Sequence, residues 1–362
     1  MKAAALLTLR LVGQSLWLDN ITRNLLVSST LQHYIDELSI IGLTSNPTIF
    51  DQAITKSQDY DAAIRQKMQA GQSGEELFFE LAIEDLTQAA DLFRPIYEAT
   101  DGVDGWVSLE VSPLLADDTA STIAQATQLH ARAGRPNLFI KIPGTKQGLP
   151  AIEETIFAGV PVNVTLLFSR AQYVAAADAY MRGIERRIAA GLNPNVRSVA
   201  SVFISRWDKA VMDKTSPELR DQLGLAVAKQ TYRAYRGLLD SNRFQRLANA
   251  GARAQRLLWA STGTKDPEAS DILYIMSLAA PNTVNTMPEA TLLAFANHGE
   301  VGPLLTADDN AEEMLARFGR AGIEVAVLAA DLQREGATSF AHSWNELMAG
   351  LASKSEVLRK AS

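Results

Sequence analysis

The sequence predicts an α/β fold, a (β/α)8 TIM barrel in which parallel strands close inside a ring of helices, with additional helices between strands and at the C-terminus. Three observations predict it. Short apolar runs rich in β-branched residues recur eight times, segments of helical periodicity separate them, and most of the runs end on a polar side chain. Strands that alternate with helices join in parallel through right-handed crossovers, and eight such units suffice to close a barrel. In that architecture the polar strand ends converge at one mouth, where chemistry is expected.

The elements follow in order. Residues 1–14 read as a short amphipathic helix, because Arg10 interrupts the apolar stretch too early for a secretory leader. The expected strands are 16–20, 40–47, 106–111, 138–145, 160–168, 199–206, 255–262 and 283–288. Helical periodicity marks 24–38, 119–133, 169–190 and 217–239. Residues 51–104 and 207–254 exceed one crossover and are expected to hold extra helices around the mouth. The tail from about 303 to 362 is helical in pattern, clearest over 310–320 and 339–351, and a last helix could fold back as a lid. The whole chain, 1–362, is expected to form one domain.

At 47% hydrophobic, the 362 residues can bury the core of a large barrel. Lysine and arginine number 34 against 41 acidic residues, a net charge of −7, and no basic run offers a surface for nucleic acid or an anionic membrane. There is no apolar run of the ~18 residues that a spanning helix needs. The absence of cysteine removes disulfides, thiolate metal sites and cysteine nucleophiles together, and fits a reducing compartment. The expectation is a cytoplasmic monomer or homodimer acting on a small molecule, with no cofactor and no metal. No glycine-rich phosphate loop or zinc-type spacing appears, and His33, His130, His298 and His342 read as surface or capping residues.

One strand stands apart. In Leu138-Phe139-Ile140-Lys141-Ile142-Pro143 a lysine occupies the middle of a run that reads as buried. An ammonium there costs several kcal/mol unless it is paired or neutralised. A free lysine is uncharged only about once in 2,500 molecules at pH 7, whereas desolvation can lower its pKa by up to ~3–5 units and make it a nucleophile toward carbonyls. The bland alternative is an edge-strand lysine that snorkels to water.

The other strand ends supply what such a nucleophile needs. Asp19, Asn46, Glu110, Asn163, Thr165 and Ser201 all fall late in strands, with Arg206 just beyond. Period-two geometry puts Phe139 with Lys141, Asn163 with Thr165, and Ser201 with Phe203 on shared strand faces. Glu110 and Thr165 could hold a water that relays protons while a lysine condenses with a ketone, and Asp19 could take the proton from the hydroxyl beside the bond that breaks. Arg206 and the Ser261-Thr262-Gly263-Thr264-Lys265 turn suit a phosphate, through charged donors and backbone N–H groups at a strand-to-helix turn. Singly, each has a structural reading: Asp19 or Asn46 as helix caps, Thr165 as a strand residue, Arg206 as a surface partner of Asp208.

These residues also carry a resemblance. Trp17-Leu18-Asp19-Asn20, Leu43-Thr44-Ser45-Asn46-Pro47, Ile140-Lys141-Ile142-Pro143-Gly144-Thr145, Asn163-Val164-Thr165-Leu166-Leu167-Phe168 and Trp259-Ala260-Ser261-Thr262 resemble, in order, the motifs of the transaldolase family. The resemblance runs from about Gln14 past Pro288, most of the chain. It implies a barrel that moves a dihydroxyacetone unit from fructose 6-phosphate or sedoheptulose 7-phosphate to an aldose phosphate in the pentose phosphate pathway. It also implies Lys141 as the Schiff-base lysine, Asp19 as the acid/base for cleavage, and Glu110 with Thr165 as the water-positioning pair. Asn46, Asn163 and Ser201 would hold the dihydroxyacetone hydroxyls, with Arg206 and Ser261 toward the phosphate. Where many relatives place an arginine two residues after the phosphate serine, this chain has Gly263, and Lys265 is the expected substitute.

Two rivals remain at this level. A fructose-6-phosphate aldolase shares the barrel and lysine but releases the unit to water; that branch tends to carry glutamine and tyrosine where this chain has Glu110 and Phe203. A barrel that binds sugar phosphates without catalysis would be expected to lack the lysine or the carboxylates, and all are present.

Overall fold

The structure, a computed structural model, describes residues 4–306 and 310–360. Residues 1–3 of the expected N-terminal helix, and 307–309 and 361–362 of the expected C-terminal extension, lie outside the described residues. Eight strands alternate with helices: β1 (Gln14–Asp19), β2 (Leu43–Thr44), β3 (Val107–Glu110), β4 (Leu138–Pro143), β5 (Val162–Leu167), β6 (Ser198–Phe203), β7 (Gln255–Ala260) and β8 (Thr283–Met287). They form one parallel sheet in the order β2-β1-β8-β7-β6-β5-β4-β3. A parallel bridge between Gly42 and Trp106 joins its two edges, and Leu43 N–H donates to the Trp106 carbonyl at 2.9 Å. The (β/α)8 barrel read from the sequence is thereby formed.

The second strand is far shorter than its expected eight-residue run. Asn46 already caps the next helix, Pro47–Lys56, so extended pairing must stop before it. Gly42 makes the closure possible. A Cβ there would lie 2.7 Å from the Trp17 indole and 2.8 Å from the Trp106 carbonyl oxygen, so only a glycine lets the chain pass between the two tryptophans.

Strand periodicity sorts the side chains into two environments. Leu16, Leu18, Ile140, Ile142, Val162, Val164, Ala200, Val202 and Leu257 face the helices. Trp17, Phe139, Val199, Leu258 and Val284 face inward and fill the barrel, with Trp106 stacked on Phe139 at a ring separation of 4.0 Å. Truncating Phe139 to alanine would cost about 3–5 kcal/mol of stability, because the surrounding rings relax only in part. Two residues further along, the same faces carry polar groups: Asp19 above Trp17, Lys141 above Phe139, Ser201 above Val199, Thr286 above Val284. The apolar layer is thus the floor of the mouth.

After β1 the expected helix over 24–38 divides into Arg23–Val27 and Thr30–Glu37, because Ser29 adopts a left-handed conformation at φ +60°. Extra helices occur in both long segments: Pro47–Lys56, Asp61–Gln69 and Gly74–Ala99 after β2, then Ser205–Val211, Leu223–Leu239 and Asn242–Asn249 after β6. Ser169 and Gln172 form a reciprocal cap that starts Arg170–Ala189. Thr119–Ala133 matches its expected bounds. Beyond β8, Glu289–His298 and Ala311–Arg320 lead into a 36-residue helix, Val325–Lys360. That helix packs along Pro47–Lys56, its Lys354 ammonium bonded to the Ile54 carbonyl at 2.9 Å and paired with Asp61 at 2.7 Å. It folds back over the mouth and brings Phe340 into it.

Candidate active site

A cavity of about 260 Å3 opens at the C-terminal ends of the strands. Asp19, Asn46, Lys141, Thr165, Ser201, Phe203, Arg206, Ser261 and Lys265 all line it, so residues spread over 247 positions of sequence meet in one place. Glu110 and Asn163 lie just beneath. Asn163 is fully buried, accepting from the Ser201 hydroxyl at 2.7 Å and donating to Ser108 at 3.2 Å, so it reaches the cavity through Ser201 rather than directly.

At the floor, β3 and β4 place Glu110 directly beside Lys141. The Lys141 Nζ donates to Glu110 Oε2 at 2.9 Å and to the Ser45 carbonyl at 2.8 Å, and both side chains are about 5% exposed. The sequence required a buried lysine there to be paired or neutralised, and the structure supplies a partner, because the adjacent strand delivers a carboxylate at the same level. Burial pushes the Glu110 carboxyl above the ordinary glutamate range, against the lowering effect of Lys141. Glu110 Oε1 and Thr165 Oγ1 are both buried without a hydrogen-bond partner, two polar atoms on the strands flanking Lys141 that remain available to a ligand.

Asp19 ends β1 and accepts from Thr44 Oγ1 at 2.7 Å; Thr44 is in turn 2.7 Å from Thr286 Oγ1 on β8. Burial raises the Asp19 pKa, opposed by Lys141, the Thr44 bond and Lys265. It is not a helix cap, since Thr22 caps the helix that follows. Asn46 is one, accepting from Ile49 N–H at 3.1 Å through Oδ1, which leaves its amide nitrogen for the cavity.

The other end is cationic. Arg206 follows β6, and Lys265 reaches in from the segment after β7. Burial lowers the pKa of both; Lys209 and Arg206 lower that of Lys265 further. Ser261, at a left-handed φ of +54°, accepts Ser205 N–H at 3.0 Å, and their hydroxyls lie 2.9 Å apart. Gly263 lies beside the lysine, a Cβ there being 3.8 Å from Lys265 Nζ and 3.1 Å from the Pro288 ring. The strand-to-helix turn expected after β7 is absent: 261–272 is irregular and only Leu273–Ser277 is helical, so the anion donors there are side chains rather than a helix start. Nor does Arg206 pair with Asp208, which is buried and accepts from Leu223 N–H, Gly224 N–H and Tyr274 O–H.

None of the four histidines lines the cavity. His33, His298 and His342 are exposed, but His130 is half-buried beneath its helix, which corrects its reading as a surface residue. Sequence reasoning missed Gln52 and Phe340 as cavity residues; for Phe340 a signal existed in the apolar stripe Phe340, Trp344, Leu347, Leu351, but its target lies far away in sequence. A second cavity, about 640 Å3, opens at the opposite end of the barrel among Gln14, Ser15, Arg197, Arg236 and Arg256; it contains none of the strand-end groups, and its larger size carries no chemistry of this kind. Among the described residues no helix is long and apolar enough to cross a membrane.

A lysine–carboxylate pair at the closed end of a barrel mouth, a second carboxylate and a group of cations in the same cavity are the features of an enzyme site. Comparison with known proteins agrees. The model of the transaldolase/fructose-6-phosphate aldolase family matches residues 16–351. Relatives named transaldolase include those of Mycobacterium bovis (strain BCG / Pasteur 1173P2), 44% identical over 95% of both chains, and Thermobifida fusca (strain YX), 45% identical over 93% of this chain and 94% of that one. The transaldolase of Saccharopolyspora erythraea is 44% identical over 93% of each. The chain belongs to the transaldolase/fructose-6-phosphate aldolase family and is a transferase.

Proposed function

We propose that this transaldolase works through a Schiff base on Lys141, taking a dihydroxyacetone unit from fructose 6-phosphate or sedoheptulose 7-phosphate and giving it to erythrose 4-phosphate or glyceraldehyde 3-phosphate. The observation that carries the reading is the buried Lys141–Glu110 pair at the floor of a cavity whose far end holds Arg206 and Lys265.

Glu110, its pKa raised by burial, takes a proton from the Lys141 ammonium, and the freed amine attacks the ketose C2 carbonyl. A water held between Glu110 Oε1 and Thr165 Oγ1 relays protons while the carbinolamine loses water to give a protonated imine. Asp19 then removes the C4 hydroxyl proton. The C3–C4 bond breaks, its electron pair flows into the imine to leave an enamine on Lys141, and the aldose phosphate departs with a new carbonyl. The enamine attacks the acceptor aldehyde carbon, Asp19 returns its proton to the new alkoxide, and water releases the product ketose. Asn46 and Ser201 hold the hydroxyls of the three-carbon unit, Asn163 holds Ser201, and Arg206, Ser261 and Lys265 receive the phosphate. This reading places the protein in the pentose phosphate pathway, in the cytoplasm.

A fructose-6-phosphate aldolase would let water take the unit in place of the acceptor. Phe203 argues against it, because a buried phenyl in the cavity wall offers no hydroxyl to that water. The test follows glyceraldehyde 3-phosphate from fructose 6-phosphate with and without erythrose 4-phosphate. Sustained product only with the acceptor supports the transaldolase; equal product without it makes the protein an aldolase, and none in either case removes the catalytic reading.

A further inference from the structure

The guanidinium of Arg206 has no hydrogen bond or ion pair among the described residues, yet it is largely buried in the cavity wall. A long side chain with no directional partner would be expected to sample several rotamers. Its nearest ring contacts are apolar, while Glu335 on the C-terminal helix acts on it electrostatically without forming an ion pair. Its Cζ lies 5.2 Å from the centre of the Phe203 ring and 5.8 Å from that of Phe340, and the two rings are 6.5 Å apart, so it rests against an aromatic pair. The third side is Gly336, one turn before Phe340 on the C-terminal helix. A Cβ at Gly336 would stand 3.3 Å from Arg206 Nη1 and 3.0 Å from Leu166 Cδ2.

Gly336 sits in mid-helix, where glycine is a poor residue, and its backbone is not left-handed, so its use there is the space it leaves. The helix is fixed at this point. Gln333 Nε2 donates to the Gly144 carbonyl at 3.0 Å and to the Leu166 carbonyl at 2.9 Å, tying the helix to the ends of β4 and β5. Leu166 itself is left-handed, φ +59°, at a register shift between β5 and β6, so an irregular strand end supplies the carbonyl that Gln333 grips. The Phe340 ring also lies 5.9 Å from Lys141 Nζ, spanning the space between the reacting amine and the arginine.

We propose that Gly336 and Phe340 are positioning residues that fix the reach of Arg206, so that the C-terminal helix sets the preference for phosphorylated over unphosphorylated substrates. The proposal rests on the assignment of Arg206 to the phosphate made above. The aromatic faces hold the cation without occupying its N–H groups, which stay free for the phosphate oxygens. Gly336 leaves the space beside the helix that Arg206 Nη1 occupies.

Two measurements on purified variants test it, with thermal unfolding as the folding control. Calorimetric binding of inorganic phosphate reads Arg206 without turnover; borohydride trapping with dihydroxyacetone reads Lys141 without a phosphate. Phe340→Leu, which keeps bulk but loses the ring, is expected to weaken phosphate binding about five- to tenfold while trapping stays within about twofold. Gly336→Ala, which improves helix propensity but crowds Arg206 and Leu166, is expected to weaken phosphate binding about threefold with the same trapping. The exposed Val357→Ala on the same helix changes neither. Phosphate affinity that is unaltered in both variants overturns the proposal, and so does an equal loss of phosphate binding and trapping, which would mark general packing. If the parent traps no adduct but Phe340→Leu still weakens phosphate binding, the Schiff-base reading fails and this proposal stands; if Arg206→Ala leaves phosphate binding intact, this proposal fails with its premise.

Discussion

The two ends of the cavity are built in opposite ways. At the end proposed for the reaction every ionisable group has a protein partner: Lys141 bonds Glu110 and Ser45, and Asp19 accepts from Thr44, itself backed by Thr286. At the end proposed for the phosphate, Arg206 and Lys265 are cations without an ion pair among the described residues. The first is preorganised, its geometry fixed by adjacent strands before substrate arrives. The second is left incomplete, and under the proposed function the substrate's phosphate supplies the negative charge that would complete it. Lys209 and Arg206 add to the burial that lowers the pKa of Lys265, and a bound anion relieves that effect.

The difference can be broken at either end. Lys141→Ala should give the largest effect, removing the borohydride-trappable adduct with fructose 6-phosphate and lowering turnover by more than about 10³-fold. An adduct that persisted would move the nucleophile elsewhere. Asp19→Ala is expected to keep the adduct but lose cleavage by about 10²–10⁴-fold; turnover within a few fold of the parent would contradict its role. Because burial raises the Asp19 pKa and cleavage needs its ionised form, parent kcat/KM should fall on acidification at a pH above the ordinary aspartate value of about 4. An acid limb at or below that value would show the carboxylate unperturbed.

At the other end, Arg206→Ala should raise KM for fructose 6-phosphate about ten- to hundredfold, and Lys265→Ala less, with little change in trapping by dihydroxyacetone. A loss of trapping in either would mean that the two ends are not separable. The smallest effect concerns the support beneath the phosphate end. Burial pushes Asp208 up to about 6, so its folded-state pKa exceeds the unfolded value near 3.8. Stability from this group is full below about pH 4 and declines as pH rises through about 6, by at most about 3 kcal/mol. Denaturant titrations at pH 4.5 and 7 should therefore differ less in Asp208→Asn than in the parent, and an unchanged difference would remove Asp208 as the cause.

Much of the reaction end was legible in sequence because strands alternate faces. Once Phe139 is placed in the barrel, Lys141 must follow it, and Trp17 fixes Asp19 likewise. What the pattern could not carry was anything set by packing between distant segments. The second strand looked long because Ile40, Ile41 and Leu43 are apolar, yet Gly42 threading between Trp17 and Trp106 and the cap at Asn46 cut it to two residues. The tail read as separate helical pieces, and only its folding back on Pro47–Lys56 shows one helix delivering Phe340 to Arg206. The segment after β7 offers no periodicity that would distinguish an irregular loop from a helix start, so the source of its anion donors was misread.

The separation of the two ends is tested most directly by borohydride trapping with dihydroxyacetone in the Arg206→Ala/Lys265→Ala double variant, followed by peptide mapping. The account predicts an adduct on Lys141 formed within about twofold of the parent rate, since a preorganised amine needs no phosphate. No adduct, or one on another lysine, would contradict it.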